Sequence, residues 1–434
     1  MAPKGDYVLD YTFAPKKTLE AIAEEYGTPL FVYDRDTLVT RHKQVCEAFS
    51  WNEGFRQFFP VSAMDHPSIL RVLREAGSGL LCSSASELHM AALAGAKGPE
   101  LLFHACFPPY QDWEMAIESG ATIILDHEDQ LEELSREQYG DRVLGLRFCA
   151  DQNPMISGQV RTKGFSKSGM PEDELLRVAV RAAERGFQKF GLYLMASSNV
   201  FQSGYYEAVA KVLLKLAPLV QSATGGRVCW CNLGGGLCWD TRQEYTLDIY
   251  REALCVHNIW KRMSASQPGL EDMALYTELG RYIAMPAGIL LTRVRGIKYH
   301  DRTTVGLDAS VSHLPRAAAS YTHYHVSALG RYKQEDRETV HLTGPTPDGA
   351  DIFEGRYILP PLEVGDILVF HGAGAYGQTL ASDYRGVLRC PEVLLDKEGP
   401  RLISRRETIA DRTIFLQGDH EQEQENQKTC TQAK

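Results

Sequence analysis

The sequence predicts an N-terminal (β/α)8 barrel followed by an all-β domain, and three observations predict it. Eight short apolar runs alternate with amphipathic helical patterns between residue 30 and about residue 285. After Pro286 the alternation stops, and runs with strand character follow one another across turns. The length of 434 residues suits one barrel, which runs to about 250 residues, plus a smaller second unit.

The eight barrel strands are expected at Phe58–Ser62, Leu80–Ser84, Leu101–Ala105, Thr122–Asp126, Val143–Phe148, Phe190–Met195, Val228–Leu233 and Leu275–Leu279. Between them lie helical stretches such as PSILRVLREAG, SELHMAALAGA, EDELLRVAVRAAERG and YYEAVAKVLLKLAPLV, in which apolar residues recur every three or four positions. The β domain is expected to use Gly288–Tyr299, Thr303–Asp308, Thr339–Thr343, Asp366–Phe370, Gly386–Leu395 and Arg401–Arg405. The boundaries follow: residues 1–25 as a segment joining the β domain, 26–285 as barrel and 286–415 as β domain. Residues 416–434, polar and without a core pattern, are expected to be disordered.

A net charge of −10 and a pI near 5.8 argue against a nucleic-acid or anionic-membrane partner, which would require a basic face. The ten cysteines contain no CxxC pair, which argues against structural zinc and for buried thiols in a reducing compartment. The first residues, MAPKGDYVLDYTFAPKK, lack an apolar signal core, and no run approaches the length of a membrane span. A cytoplasmic protein is the expectation.

Several motifs, in order, resemble the fold-type III pyridoxal-phosphate decarboxylases, the diaminopimelate and ornithine enzymes. They are Tyr26-Gly-Thr-Pro-Leu-Phe-Val-Tyr33, Asn232-Leu-Gly-Gly-Gly-Leu237, Glu278-Leu-Gly-Arg281 followed by AGILLTRV, Gly344-Pro-Thr-Pro-Asp-Gly-Ala-Asp351, Gly374-Ala-Tyr-Gly377 and SRRET at 404–408. The resemblance spans roughly residues 20 to 410. It implies a C-terminal domain like that of alanine racemase and a head-to-tail homodimer, whose sites lie between one barrel and the partner's β domain.

It also implies roles for particular residues. Gly234, Gly235 and Gly236 follow a strand and leave no side chain between backbone N–H groups and a bound anion. Tyr376 resembles the tyrosine at the cofactor phosphate, and the main chain around Gly280 and Arg281 would complete that pocket. Glu278 corresponds to the carboxylate that pairs with the pyridine nitrogen, although a plain salt bridge is the competing reading. Arg316 matches an arginine that holds a substrate carboxylate, for which a guanidinium fork is suited; a solvated loop arginine is its bland counterpart.

Other positions depart from the pattern. The family's lysine ends a strand in a motif of the form YAVKAN; here the strand reads Phe59-Pro-Val-Ser-Ala-Met64, with Ser62 at the lysine position. A hydroxyl cannot form a Schiff base. Met195 stands where the ring-stacking histidine belongs, Leu81 replaces an acidic residue, and Pro347 replaces the β-domain cysteine, while Asp348 and Asp351 remain. Lys167 and Lys163 are the nearest substitute amines. On this basis no cofactor is expected, and pyridoxal phosphate is left only as a group not linked through Ser62.

The strand ends supply Ser62, Asp65, His66, His104, Cys106, Arg147, Tyr193 and Glu278 to a barrel mouth. Ser62, His66, Tyr193 and Asp348 are the catalytic candidates, with His66 as an acid or base beside Asp65; the bland alternative is a helix N-cap by Asp65 with His66 solvated. His313, His323 and His325 fall short of a metal set, so no metal is expected. Three functions remain open. One is a pyridoxal-independent decarboxylase or other lyase of specialised metabolism, acting on a small carboxylate-rich substrate. The second is an inactive dimer partner, and the third a pyridoxal-dependent amino-acid decarboxylase working without the usual lysine.

Overall fold

The structure, a computed structural model, describes residues 13–149, 166–239, 247–267, 269–318, 324–331 and 336–416. The tail from 417 onward, expected to be disordered, lies outside these residues, as do Lys163 and His323.

The first strand, β1 (Leu30–Asp34), is apolar along its length and almost wholly buried. Although the barrel is expected from residue 26, β1 lies in the second sheet. It pairs antiparallel with Gly288–Leu291 and parallel with Glu392–Leu395. Helix Lys16–Tyr26 packs Leu19, Ile22 and Ala23 against Leu30, Val32, Ile289 and Val393 of that sheet.

The barrel begins with β2 (Arg56–Pro60) and continues through β3 (Gly79–Cys82), β4 (Leu101–His104), β5 (Thr122–Leu125), β6 (Leu144–Arg147), β7 (Lys189–Tyr193), β8 (Arg227–Asn232) and β9 (Ala274–Thr277). All neighbours are parallel, and β2 pairs with both β3 and β9, which closes the ring. Phe58, Leu81, Leu102, Ile124, Tyr193 and Trp230 form an apolar cluster contributed by six of these strands. Gly191 is required in this layer: a Cβ there would lie 2.1 Å from the Trp230 ring. Helices such as Pro67–Glu75, which buries Ile69, Leu70, Val72 and Leu73, cover the outside.

The β domain follows with β10 (Gly288–Tyr299), β11 (Thr303–Leu307), β12 (Val326–Ala328), β13 (Glu338–Thr343), β14 (Ile352–Leu359), β15 (Ile367–His371), β16 (Glu392–Asp396) and β17 (Gly399–Ser404). Together with β1 they form a nine-stranded sheet with the path β14-β13-β11-β10-β1-β16-β17, from which β12 and β15 branch at β10. The chain therefore enters this sheet, leaves to build the barrel and returns, so both units share β1 and β10 as a seam.

Candidate active site at the barrel mouth

Parallel strands deliver their C-terminal residues to one end of the ring, and here that end is polar. The Glu278 carboxyl, directly after β9, is 4% exposed, and burial pushes its pKa up to about 7. The Asn232 amide donates to its Oε1 at 2.7 Å, and hydrogen bonding from Tyr193 and the charge of Arg147 also favour the ionised form. Such a group carries its proton through part of the neutral range, as a general acid or base requires.

The glycine loop is tied to this carboxylate. The Gly234 N–H donates to Asn232 Oδ1 at 2.9 Å, while the Gly234 carbonyl accepts from Glu278 N at 2.8 Å and Tyr206 Oη at 2.9 Å. A Cβ on Gly235 would stand 2.4 Å from the Glu278 carbonyl oxygen, and Gly236 is at φ +101°. The N–H groups of Gly235 and Gly236 have no acceptor among the described residues. These are the properties of a nest for an anion.

A cationic wall adjoins them. Arg281, the first residue of a short helix that follows β9, is 5% exposed, and its guanidinium lies 4.9 Å from the Tyr376 ring centroid. The Arg316 guanidinium of the β domain lies at the same distance from that ring. The Nε atoms of both arginines are buried without a hydrogen-bond partner, as is the Tyr324 hydroxyl. Neither arginine has an ion pair among the described residues, and burial, then the charge of Arg316, lowers the proton affinity of Arg281. Two adjacent like charges, one buried and one half-buried, without a counter-ion among the described residues are costly; a bound anion removes the cost. Tyr376 adopts φ +59°, a strained conformation for a non-glycine residue, with its N–H donating to Ala63 and its phenol bonded to Ser62. Ser62 itself sits in a single 3-10 turn directly after β2.

On the opposite rim, His104 Nε2 lies 2.9 Å from Asp126 Oδ1, and Arg147 Nη1 lies 3.0 Å from the same ring nitrogen. Burial, with Arg147, pushes His104 down to about 4, against the pull of Asp126. Burial alone would raise Asp126, but the bond and charge of His104, then Arg147, hold it below its ordinary value. His104, Cys106 and Asp126 have ligand-type atoms within 4.8 Å of one another. The Arg147 guanidinium, 3.7 Å from Asp126 Oδ1, already supplies the cation of this cluster. It also reaches over Tyr193, 5.1 Å from the ring centroid.

The sequence-predicted residues thus divide. Ser62, Tyr193, Gly234, Gly235, Gly236, Glu278, Arg281, Arg316 and Tyr376 are brought to the mouth or its seam with the β domain. His66 is not free for proton transfer. Its Nδ1 accepts from Ser68 N at 3.1 Å to cap helix Pro67–Glu75, and its Nε2 meets the Ile403 carbonyl at 3.0 Å. Both ring nitrogens are spent, and the cap is His66, not Asp65. Asp348 bonds Ala350 N and the Tyr384 hydroxyl within the β domain, at 2.8 Å each. Asp351 is buried and accepts from Ser310, Val311 and Thr346, a structural set. Lys167 is exposed. Asn232 and Asp126 were missed as site residues. Asn232 opens the glycine motif, and Asp126 closes a predicted strand, so strand-end position was the signal available for both.

Residues 35–285 match the family model described as "Pyridoxal-dependent decarboxylase, pyridoxal binding domain". Protein TabA of Pseudomonas amygdali pv. tabaci is 31% identical over 92% of this chain and 93% of its own. A diaminopimelate decarboxylase of Methanothermobacter thermautotrophicus is 30% identical over 90% and 92%. Among solved structures, diaminopimelate decarboxylase from M. jannaschii in complex with L-lysine superposes with a TM-score of 0.85 at 24% identity, covering 92% of this chain and 94% of that one. The Helicobacter pylori enzyme with L-lysine gives 0.80 at 22%, covering 91% and 98%.

The expectation that no cofactor belongs here is overturned by the match to a pyridoxal-binding domain. The residues present fit the phosphate and the polar edge of such a group: the unpartnered glycine N–H groups and arginine Nε atoms for one, the buried Glu278 carboxyl for the other. They do not offer the covalent anchor. The C-terminal end of each barrel strand and the two residues after it contain no lysine; Lys189 begins β7 at the opposite end of the barrel.

Proposed function

This chain belongs to the pyridoxal-dependent decarboxylases, and from that premise we propose that it is a carbon–carbon lyase of the decarboxylase type for a small, carboxylate-rich substrate, with pyridoxal phosphate held by noncovalent contacts. The observation that carries this reading is the pair of guanidinium groups on the Tyr376 ring, each with a buried Nε that has no partner and neither with a counter-ion among the described residues, next to a glycine nest. Pyridoxal phosphate, when bound, supplies the electron sink that loss of a carboxylate alpha to an amine requires. Gly235, Gly236 and Arg281 would hold its phosphate, and Glu278 would face the ring nitrogen.

The chain's own groups supply the rest. Arg316 would orient a substrate carboxylate through its fork. Glu278, protonated through part of the neutral range, holds a proton at the floor of the mouth, and Tyr193 and Asn232 fix the direction of that carboxyl. The β domain closes on one side of the mouth through Tyr376, whose N–H donates to the Ala63 carbonyl at 2.9 Å. Ser62 takes the position of the family's lysine in this reading, so no covalent link would hold the group at that strand end. A second copy is the proposed partner, bringing Asp348 to the neighbouring mouth in a head-to-tail homodimer. The relatives' named substrate, diaminopimelate, is the first to try.

Titration of the purified protein with pyridoxal phosphate should give a saturable absorbance change that gel filtration removes, both before and after borohydride. Carbon dioxide should then be released from meso-diaminopimelate or a related diacid. A pyridoxyl group fixed by borohydride to a lysine, located by mass spectrometry, would refute noncovalent holding. One observation, the lack of a lysine at the strand ends, equally supports an inactive dimer partner. Absence of any binding or turnover, with co-purification of a lysine-bearing homologue, would select that reading.

A further inference from the structure

The opposite end of the barrel carries a second cavity, of about 650 Å³, that the proposed reaction does not use. It lies where β2 and β9 begin: Asn52 donates through Nδ2 to the Met273 carbonyl at 3.0 Å, and its Oδ1 accepts from Leu275 N. Strands of this length separate it from Ser62 and Glu278 by roughly 20 Å. One wall is aromatic. The His257 ring stacks on Trp51 at 4.6 Å, and Trp260 meets Trp51 edge-on at 5.8 Å. The rim bears both signs: Glu53, Glu271 and Asp272 on one hand, the exposed Lys261 on the other.

Two of the lining residues also have polar atoms that are buried without a partner, Trp51 Nε1 and Ser264 Oγ. Buried polar atoms are rarely left so in a folded chain, and where they border a cavity they mark a missing ligand or water. Their chemistry is specific. The indole N–H and Lys261 call for an acceptor anion; the three carboxylates and the serine oxygen call for an ammonium donor; the rings call for an apolar body. A ligand that carries only one sign leaves half of this set unanswered.

We propose that this cavity binds a free α-amino acid with an apolar side chain, as an effector or storage site separate from the barrel mouth. The ammonium sits among Glu53, Glu271 and Asp272, the carboxylate between Lys261 and Trp51, and the side chain against the aromatic wall.

Calorimetric titration of the full-length protein with L-norleucine, pentylamine and hexanoate isolates each requirement, because the two simpler probes lack one charged group each. Norleucine should bind saturably and at least tenfold more tightly than either. Lys261→Ala, a change at an exposed side chain, should weaken norleucine at least fivefold, whereas Arg316→Ala at the mouth should leave it unchanged. Equal binding of pentylamine, indifference to Lys261→Ala, loss in Arg316→Ala or no binding of norleucine would each overturn the proposal. None of these outcomes depends on whether the mouth turns over a substrate.

Discussion

Arg316 reaches the barrel mouth from the β domain and packs on the Tyr376 ring that Arg281 also approaches. A charge-assisted hydrogen bond is worth about 1.5–3 kcal/mol. Arg316→Ala should therefore weaken binding of a substrate carboxylate by roughly 10- to 150-fold, read as the midpoint of a meso-diaminopimelate titration of the protein loaded with pyridoxal phosphate. Folding stability should hold or rise, because one of two adjacent like charges is gone; a clear loss of stability would instead mean that the arginine serves the seam. Gly235→Ala tests the nest. The added methyl meets the Glu278 carbonyl at 2.4 Å, so the loop must shift, at a cost of about 1–3 kcal/mol in urea unfolding. Anion affinity should fall with it, and unchanged affinity would remove the loop from the site. These roles were only partly legible. The glycines and Glu278 stand in motifs with fixed spacing, whereas the pairing of Arg281 with Arg316 joins residues from two domains that no local pattern links.

At the level of elements, the barrel strands were legible because each is a short apolar run whose β pairing partners lie next in the chain. Each observed strand starts and ends within two residues of its expected position. The β domain was harder for identifiable reasons. β12 has three residues, too few for a period. β14 alternates buried Phe353, Tyr357 and Leu359 with exposed Ile352 and Ile358, and Gly355 at φ +115° interrupts it. The strand expected from Gly386 starts only at Glu392, since residues 384–386 turn with Arg385 in the left-handed region. β1 was read as part of the barrel because an apolar strand does not declare which sheet it joins. His66 shows the same limit: next to Asp65 it suggests acid–base chemistry, and only the fold reveals the cap. His66→Ala should cost about 1–2 kcal/mol in urea unfolding, from the cap and the link to β17. His66→Asn should recover part of it, and neither change should alter pyridoxal phosphate affinity. A stable His66→Ala protein that had lost turnover would restore the acid–base role.

The whole molecule is held at the seam by β1, where the Tyr33 hydroxyl donates to Glu392 Oε2 at 2.8 Å. Glu392 is 4% exposed, and burial pushes its pKa up to about 7 even though Tyr33 and Ser404 hydrogen bonds and Arg389 favour its charge; Asp65 acts the other way. Glu278 at the mouth is raised to a similar value for the same reason. Below the ordinary glutamate range both carboxyls are neutral in the folded and unfolded chain, and they impose no penalty. As pH rises past about 4.5 the unfolded chain releases these protons while the folded chain keeps them, so the folded state binds more protons and loses stability with rising pH. The loss continues to about pH 7 and then levels off, on the order of 3 kcal/mol for each group. Stability by urea unfolding should accordingly fall between pH 5 and 7.5, beyond what the remaining carboxylates impose. Glu392→Gln, which keeps an acceptor for Tyr33, should remove about half of that slope, and the double change with Glu278→Gln most of it. A slope identical in Glu392→Gln would mean that the seam admits water and that the carboxylate is ionised in the folded protein. The same seam positions Arg316 and Tyr376 against the barrel, so ligand binding at the mouth should weaken over the same interval in the parent protein and hold steadier in Glu392→Gln.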